Sequence, residues 1–267
     1  MFEFYEMKRD PFGKGIDVEH LYFSKNANEA YHRLMYAAQN QEIAVMCGVT
    51  GSGKSGVLRK VRAALPKEEY DFLYIAESML SPSGLYRTLL AEIGCEPVFF
   101  KDDARYILQK ELLNRHQSHG KKTVCIIDEA QMLVPETVTE LRFFMNMDID
   151  SQSPAALILS GQNTLIENLK LQVNKSFYDR IDRFAFLSSL DRADVARYIR
   201  SHLEYAEGRQ DIFNDKALDS IYKYSYGIPR KINHICLNCL IYGAQNKKPV
   251  LDEYDVDSIV KTELVEG

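Results

Sequence analysis

The chain has 267 residues, of which 46% are hydrophobic and 27% charged, a composition that excludes a disordered or fibrous protein and allows a large core without disulfides. Its formal net charge of −5 argues against indiscriminate nucleic-acid binding by a monomer, although a local basic surface is compatible with it. No apolar run approaches the roughly 18 to 20 residues of a membrane span, no signal-peptide core opens the chain, and the five cysteines sit mostly in apolar runs, so a reducing cytoplasm without a membrane partner is expected.

After a short apolar lead, "NANEAYHRLMYAAQN" places Ala30, Leu34, Ala37 and Ala38 at helical spacing, with Asn26 or Asn28 as the expected cap. "EIAVMCGV" predicts a buried strand ending at glycine, and "KSGVLRKVRAAL" a helix that stops before Pro66. The pattern then repeats. "YDFLYIA" reads as a strand and "SPSGLYRTLLAEIG" as a helix opened by Ser or Pro and closed by Gly94. "DARYILQKELLNRHQSHG" predicts a longer basic helix, "TVCIIDEA" a strand, "PETVTELRFFMNMD" a helix, and "PAALILSG" and "DRFAFLSSL" two further strands. Continuous apolar strands alternating with helices imply an α/β fold with a parallel sheet covered on both faces. Beyond about Leu190 the strand signal stops and four helical segments follow. The expected division is an α/β core with its lead over residues 1–190 and a small all-helical lid over 191–267.

Gly48-Val49-Thr50-Gly51-Ser52-Gly53-Lys54-Ser55, with Gly56 next, fits G-x-x-x-x-G-K-[ST] between a predicted strand and a predicted helix. The glycines let the backbone curl so that several N–H groups point inward at phosphates, with the positive helix N-terminus behind them. Lys54 would reach the β- and γ-phosphates and Ser55 would offer its hydroxyl to Mg²⁺. A nucleotide-hydrolysing site also needs an acid at the end of another buried strand. "VCIIDEA" supplies Asp128, expected to hold Mg²⁺, and Glu129, placed to polarise an attacking water as general base. Either motif alone has a plainer explanation, a strand-to-helix turn or an acidic helix cap. Together they point to ATP and its hydrolysis.

The phosphate loop, "IIDEA", a strand ending "LILSGQ", the arginine-bearing "SFYDRIDRFAFLSSL" and a helical region with "GIPRKIN" occur in that order. The set resembles an AAA+ ATPase. More closely, it is similar to the general secretion pathway protein A (ExeA-like) family and to transposon-encoded target-selection ATPases of the TniB, TnsC and MuB kind; the lead "FYEMKRDPFGKGIDVEHLYFSKNANEAYHRLMYAAQ" adds to the likeness. The resemblance implies a first sensor at Ser160 or, favoured, Gln162. It implies an arginine finger at Arg180, with Arg183 in reserve, acting on a neighbouring subunit's γ-phosphate. Arg230 matches the second sensor, and Ile16, His20 and Tyr22 are candidates for the adenine pocket wall.

Some features have plainer explanations. Cys236-x-x-Cys239 lies in a predicted helix with no second pair, so core cysteines are expected rather than zinc ligands. Tyr222, Tyr224 and Tyr226 straddle a core edge as readily as they would stack on bases. Lys101, Arg105, Lys110, Arg115, Lys121 and Lys122 would line a basic channel for duplex DNA in a ring of subunits, or form an ordinary solvated helix face.

The family resemblance then implies an ATPase that assembles with ATP into a hexameric ring or helical filament on DNA, without sequence preference, and recruits or activates a transposase. The alternatives are a secretion or envelope-assembly ATPase of the ExeA kind and a non-hydrolysing nucleotide-gated scaffold. ExeA-like proteins usually carry a membrane span and a peptidoglycan-binding region after the ATPase, and these residues show neither, which weights the expectation toward DNA.

Overall fold

A computed structural model describes residues 1–76, 79–96, 98–145, 153 and 155–263. Five strands form one parallel sheet: β1 (Ile43–Gly48), β2 (Tyr70–Ile75), β3 (Lys122–Ile127), β4 (Ala156–Gly161) and β5 (Arg183–Leu187), in the order β2-β3-β4-β1-β5. Every residue of β1 and β4 is buried, as in a sheet covered on both faces. Helix α1 (Lys25–Asn40) precedes β1, and the helices between strands are α2 (Lys54–Ala64), α3 (Pro82–Glu92), α4 (Lys101–His119), α5 (Pro135–Phe144), α6 (Thr164–Lys170) and α7 (Lys175–Tyr178). Four more follow β5: α8 (Arg192–Tyr205), α9 (Asp215–Ser225), α10 (Pro229–Gln245) and α11 (Glu253–Glu263). The fold is the α/β parallel-sheet class with a helical C-terminal portion.

Local chemistry sets the element ends. Ser81 accepts from the Gly84 N–H at 3.2 Å with Pro82 at the first helical position, and α3 is followed by Gly94 at φ +81°. The cap of α1 differs from expectation. Ser24, not Asn26 or Asn28, accepts from the Ala27 N–H at 3.2 Å, while Asn26 accepts from the Ser188 N–H at 2.9 Å. The short α6 and α7 carry too few turns to show a period. The last residues of the segment expected to form α5, 146–148, and Pro154 ahead of β4 lie outside the described residues.

Contacts divide the chain into two compact units. One comprises Met1–Ala27, Gly51–Gly56 and Ser188–Gly267; the other comprises Asn28–Thr50 and Val57–Leu187. The lead, expected with the sheet, groups with the C-terminal helices. Tyr5, Met7 and Phe12 are buried in one cluster with Val195, Ile199, Leu203, Ile232, Cys236 and Cys239. The Tyr5 hydroxyl donates to the Lys248 carbonyl at 3.0 Å, and Lys8 N–H donates to the Ala206 carbonyl at 2.9 Å. Each such apolar side chain contributes about 1.5–3 kcal/mol on burial, which explains why Tyr5, Met7 and Phe12 act as core. Cys236 and Cys239 are fully buried members of α10, as expected of core cysteines.

Candidate active site

β1, β3 and β4 run parallel and end together, with Cys47 opposite Gly161 and Ile127 opposite Leu159. Val49 and Thr50, Asp128 and Glu129, and Gln162 therefore all leave the sheet at its C-terminal edge, where open parallel sheets place their ligands.

Asp128 is nearly buried, and both carboxylate oxygens are engaged. Oδ1 accepts from the Glu129 N–H at 3.0 Å and Oδ2 accepts from the Tyr74 hydroxyl at 2.9 Å. Partial burial and the bond to Asp128 push the Tyr74 hydroxyl up to about 12, so it remains a donor at any ordinary pH. An oriented carboxylate with lone pairs left over suits a hard cation.

Glu129 is exposed and sits at φ +48°, ψ +35°, a left-handed conformation that costs a non-glycine residue of order 1 kcal/mol. Its Oε2 accepts from Gln131 Nε2 at 2.7 Å. Gln131 Oε1 in turn accepts from the Gln162 N–H at 3.0 Å. Ser160, the other sensor candidate, is fully buried in β4, and its Oγ has no hydrogen-bond partner among the described residues. Sequence reasoning missed Tyr74 and Gln131. The only signals were a tyrosine near the end of β2 and an amide two residues past the acid pair.

The rest of the phosphate loop lies in the other unit. Gly51 and Gly53 have φ of +82° and +101°, conformations that favour glycine. Lys54 and Ser52 are buried, and Ser52 Oγ has no hydrogen-bond partner among the described residues; Ser55 is exposed in the first turn of α2. An orphaned hydroxyl and a buried lysine in a left-handed glycine curl fit a phosphate. Gly51 has a second duty. Its carbonyl accepts from the Arg230 N–H at 3.2 Å, and a Cβ on it would lie 2.7 Å from Arg230 Cβ. Arg230 is itself placed by Gly227, at φ +69°, where any Cβ would collide with the Leu190 carbonyl, and by Pro229 at the start of α10.

Both finger candidates lie in the sheet unit. Arg183 binds Glu42 through two nitrogens, at 2.8 and 3.2 Å, and lies over the Tyr36 ring at 4.5 Å. Arg180 stands half-buried between α7 and β5. Tyr22 is also tied down. Its hydroxyl donates to Asp194 at 2.5 Å and accepts from Arg197 at 3.1 Å. Ile16 is buried, and the His20 ring lies 5.1 Å from that of Tyr205.

The basic run on and after α4 is largely neutralised internally. Lys101 and Arg105 face Glu140 at 2.6 and 3.5 Å, and Arg115 and Lys121 face Asp71 at 3.0 and 3.1 Å. Lys122 donates to the Gln39 carbonyl at 2.6 Å. Glu140 is buried and also accepts from the Tyr86 hydroxyl, so these cations balance core carboxylates. Among the described residues, no helix is long and apolar enough to cross a membrane.

Comparison with known proteins shows what the chain and its fold are similar to. Residues 37–169 match the family described as AAA domain. The chain is 33% identical over 245 residues to general secretion pathway protein A of Aeromonas hydrophila, an alignment covering 90% of this chain and 44% of that protein, so it spans less than half of the relative's length. Its fold is similar to Cdc6p from Pyrobaculum aerophilum, with a TM-score of 0.74 at 14% identity over 96% of this chain and 71% of that one. It is also similar to the Aeropyrum pernix ORC1 protein, solved in complex with DNA, with a TM-score of 0.70 at 14% identity over 96% and 69% of the two chains.

Proposed function

From the premise that this chain carries an AAA domain and is an AAA+ ATPase relative of general secretion pathway protein A, we propose that it hydrolyses ATP with Mg²⁺ and uses the cycle to control its own assembly. The observation that carries this reading is the acid pair at the sheet edge: a buried Asp128 oriented by Tyr74, followed by an exposed Glu129 held by Gln131. Gly48, Val49, Thr50, Gly51, Ser52, Gly53 and Gly56 shape the phosphate loop, and Lys54 binds phosphate oxygens. Ser55 and Asp128 hold the metal, which supplies charge neutralisation at the phosphates. Glu129 takes the proton of the attacking water. Gln162 and Arg230 serve as first and second sensors, and Arg180 as the finger toward a neighbouring subunit.

The finer reading is assembly on duplex DNA, as a ring or filament, that recruits or activates a transposase. Fold likeness to an ORC1 protein solved with DNA supports the DNA part. The basic run of α4 supports it less than its charge suggests, because most of those cations face acids of this chain. A second reading, work in a secretion system without DNA, is supported by the 33% identity to general secretion pathway protein A. A mobility shift on duplexes of unrelated sequence, with ATP and Mg²⁺ at low salt, separates them. The DNA reading expects an ATP-dependent shift that weakens steeply with salt; no shift under these conditions sinks it. For the chemistry, Glu129→Gln is expected to lower hydrolysis by roughly 100-fold or more while leaving ATP bound, and an unchanged rate removes Glu129 as base.

A further inference from the structure

Gln131 belongs to no motif named above, yet both ends of its side-chain amide and its carbonyl have partners. It sits on the 3₁₀ turn Ala130–Met132 that leaves the left-handed Glu129. Nε2 donates to Glu129 Oε2 at 2.7 Å, and Oε1 accepts from the Gln162 N–H at 3.0 Å. Only this amide orientation works, since the reverse would turn N–H against N–H and oxygen against carboxylate. The Gln131 carbonyl accepts from Asn168 Nδ2 at 3.1 Å, and the Asn168 carbonyl accepts from Asn174 Nδ2 at 2.9 Å. Both the backbone and the tip of Gln131 are therefore fixed from the β4–α7 segment.

Room for the amide comes from Gly161. A Cβ there would lie 2.6 Å from Gln131 Oε1 and 3.0 Å from Leu165 Cδ2, so any side chain at 161 would displace the amide. Gly161 has ordinary backbone geometry and is not among the positive-φ residues, so its bareness serves this close approach.

We propose that Gln131, seated over Gly161, is a positioning residue that fixes the Glu129 carboxylate and couples it to the peptide N–H of Gln162. The proposal rests on Glu129 being the base. It gives the exit of β4 a direct two-bond route to that carboxylate: a shift of the 161–162 peptide moves the amide, and the amide moves the acid.

The test pairs a measurement on nucleotide-free protein with kinetics. In hydrogen exchange without nucleotide, Gln131→Ala is expected to speed exchange of the Gln162 amide by about tenfold, whereas Gln131→Glu, which keeps an oxygen for that N–H, preserves protection. In ATP hydrolysis both variants are expected to lower kcat by roughly 10- to 100-fold, with the dissociation constant for nucleotide unchanged within about twofold. Gly161→Ala should reproduce the loss, and the double variant Gln131→Ala/Gly161→Ala should be no worse than either single one, the non-additivity of one shared contact. Wild-type kcat in Gln131→Ala, alongside loss of hydrolysis in Glu129→Gln, overturns the proposal and leaves the base in place. Wild-type hydrolysis in Glu129→Gln overturns the base reading, and the exchange experiment then still decides whether the Gln131–Gln162 bond exists. If Gly161→Ala does not fold, Gln131→Ala and Gln131→Glu carry the test alone.

Discussion

In the sheet unit the candidate groups are held by side chains bonded to side chains, Tyr74 to Asp128 and Gln131 to Glu129. In the unit that contains the C-terminal helices, Arg230 is held by main chain. Its N–H meets the Gly51 carbonyl, and the turn before it depends on the absence of a Cβ at Gly227. The difference bears on how each region fails. A side-chain network loses one bond at a time while the sheet beneath stays folded, whereas a backbone contact moves everything downstream of it. Chemistry in the first region is tunable residue by residue; geometry in the second is closer to all or none.

The sharpest way to break that comparison is Gly227→Ala. With φ at +69° and the Leu190 carbonyl in the way, it is expected to cost about 3 kcal/mol or more, read as a lowered denaturant midpoint by circular dichroism. A midpoint equal to wild type would mean that main chain does not hold this region. Acid is the next lever. His202 is buried, with Nδ1 donating to the Pro11 carbonyl at 2.6 Å and Nε2 without a partner among the described residues. Burial pushes its imidazole down from 6.5 to about 4. Because the folded pKa is the lower one, the unfolded chain binds more protons between those values. Stability is full above pH 6.5, falls by about 3 kcal/mol as the pH drops to about 4, and changes no further on this account below that. His202→Phe should flatten that slope in a pH series of unfolding curves, and an unchanged slope would put the acid sensitivity elsewhere. The smallest effect belongs to the sheet unit. Breaking the half-exposed Arg183–Glu42 pair by Arg183→Ala is expected to lower the denaturant midpoint only slightly without touching kcat, while Arg180→Ala is expected to lower kcat. A fall in kcat confined to Arg183→Ala would move the finger.

What the sequence disclosed followed from local rules. Apolar runs ending at Gly48 and Asp128 mark two strand exits, and the glycine spacing of the phosphate loop marks the turn between β1 and α2; both need only neighbouring residues. Gln131 was illegible because its role depends on a missing Cβ at Gly161, 30 residues away in sequence and adjacent only once β3 and β4 pair. The pairing of Arg183, the reserve finger, with Glu42 was equally out of reach, because it exists only once β5 aligns with β1. The partners of the Tyr22 hydroxyl, Asp194 and Arg197, could not be read either, because they lie more than 170 residues away. The ion pairs of the basic run were hidden for the same reason, since Asp71 and Glu140 join it from elements outside the run.

The burial of Tyr5, Met7 and Phe12 among helices that begin at Arg192 also sets an order of events during synthesis. These apolar residues emerge from the ribosome roughly 200 residues ahead of their partners, and at about 5–20 residues per second they wait on the order of 10 to 40 seconds. Meanwhile all five strands can emerge and pair. The helical unit therefore closes after the sheet, by a contact of long sequence separation that slows folding, and until then its lead keeps apolar surface open to a chaperone.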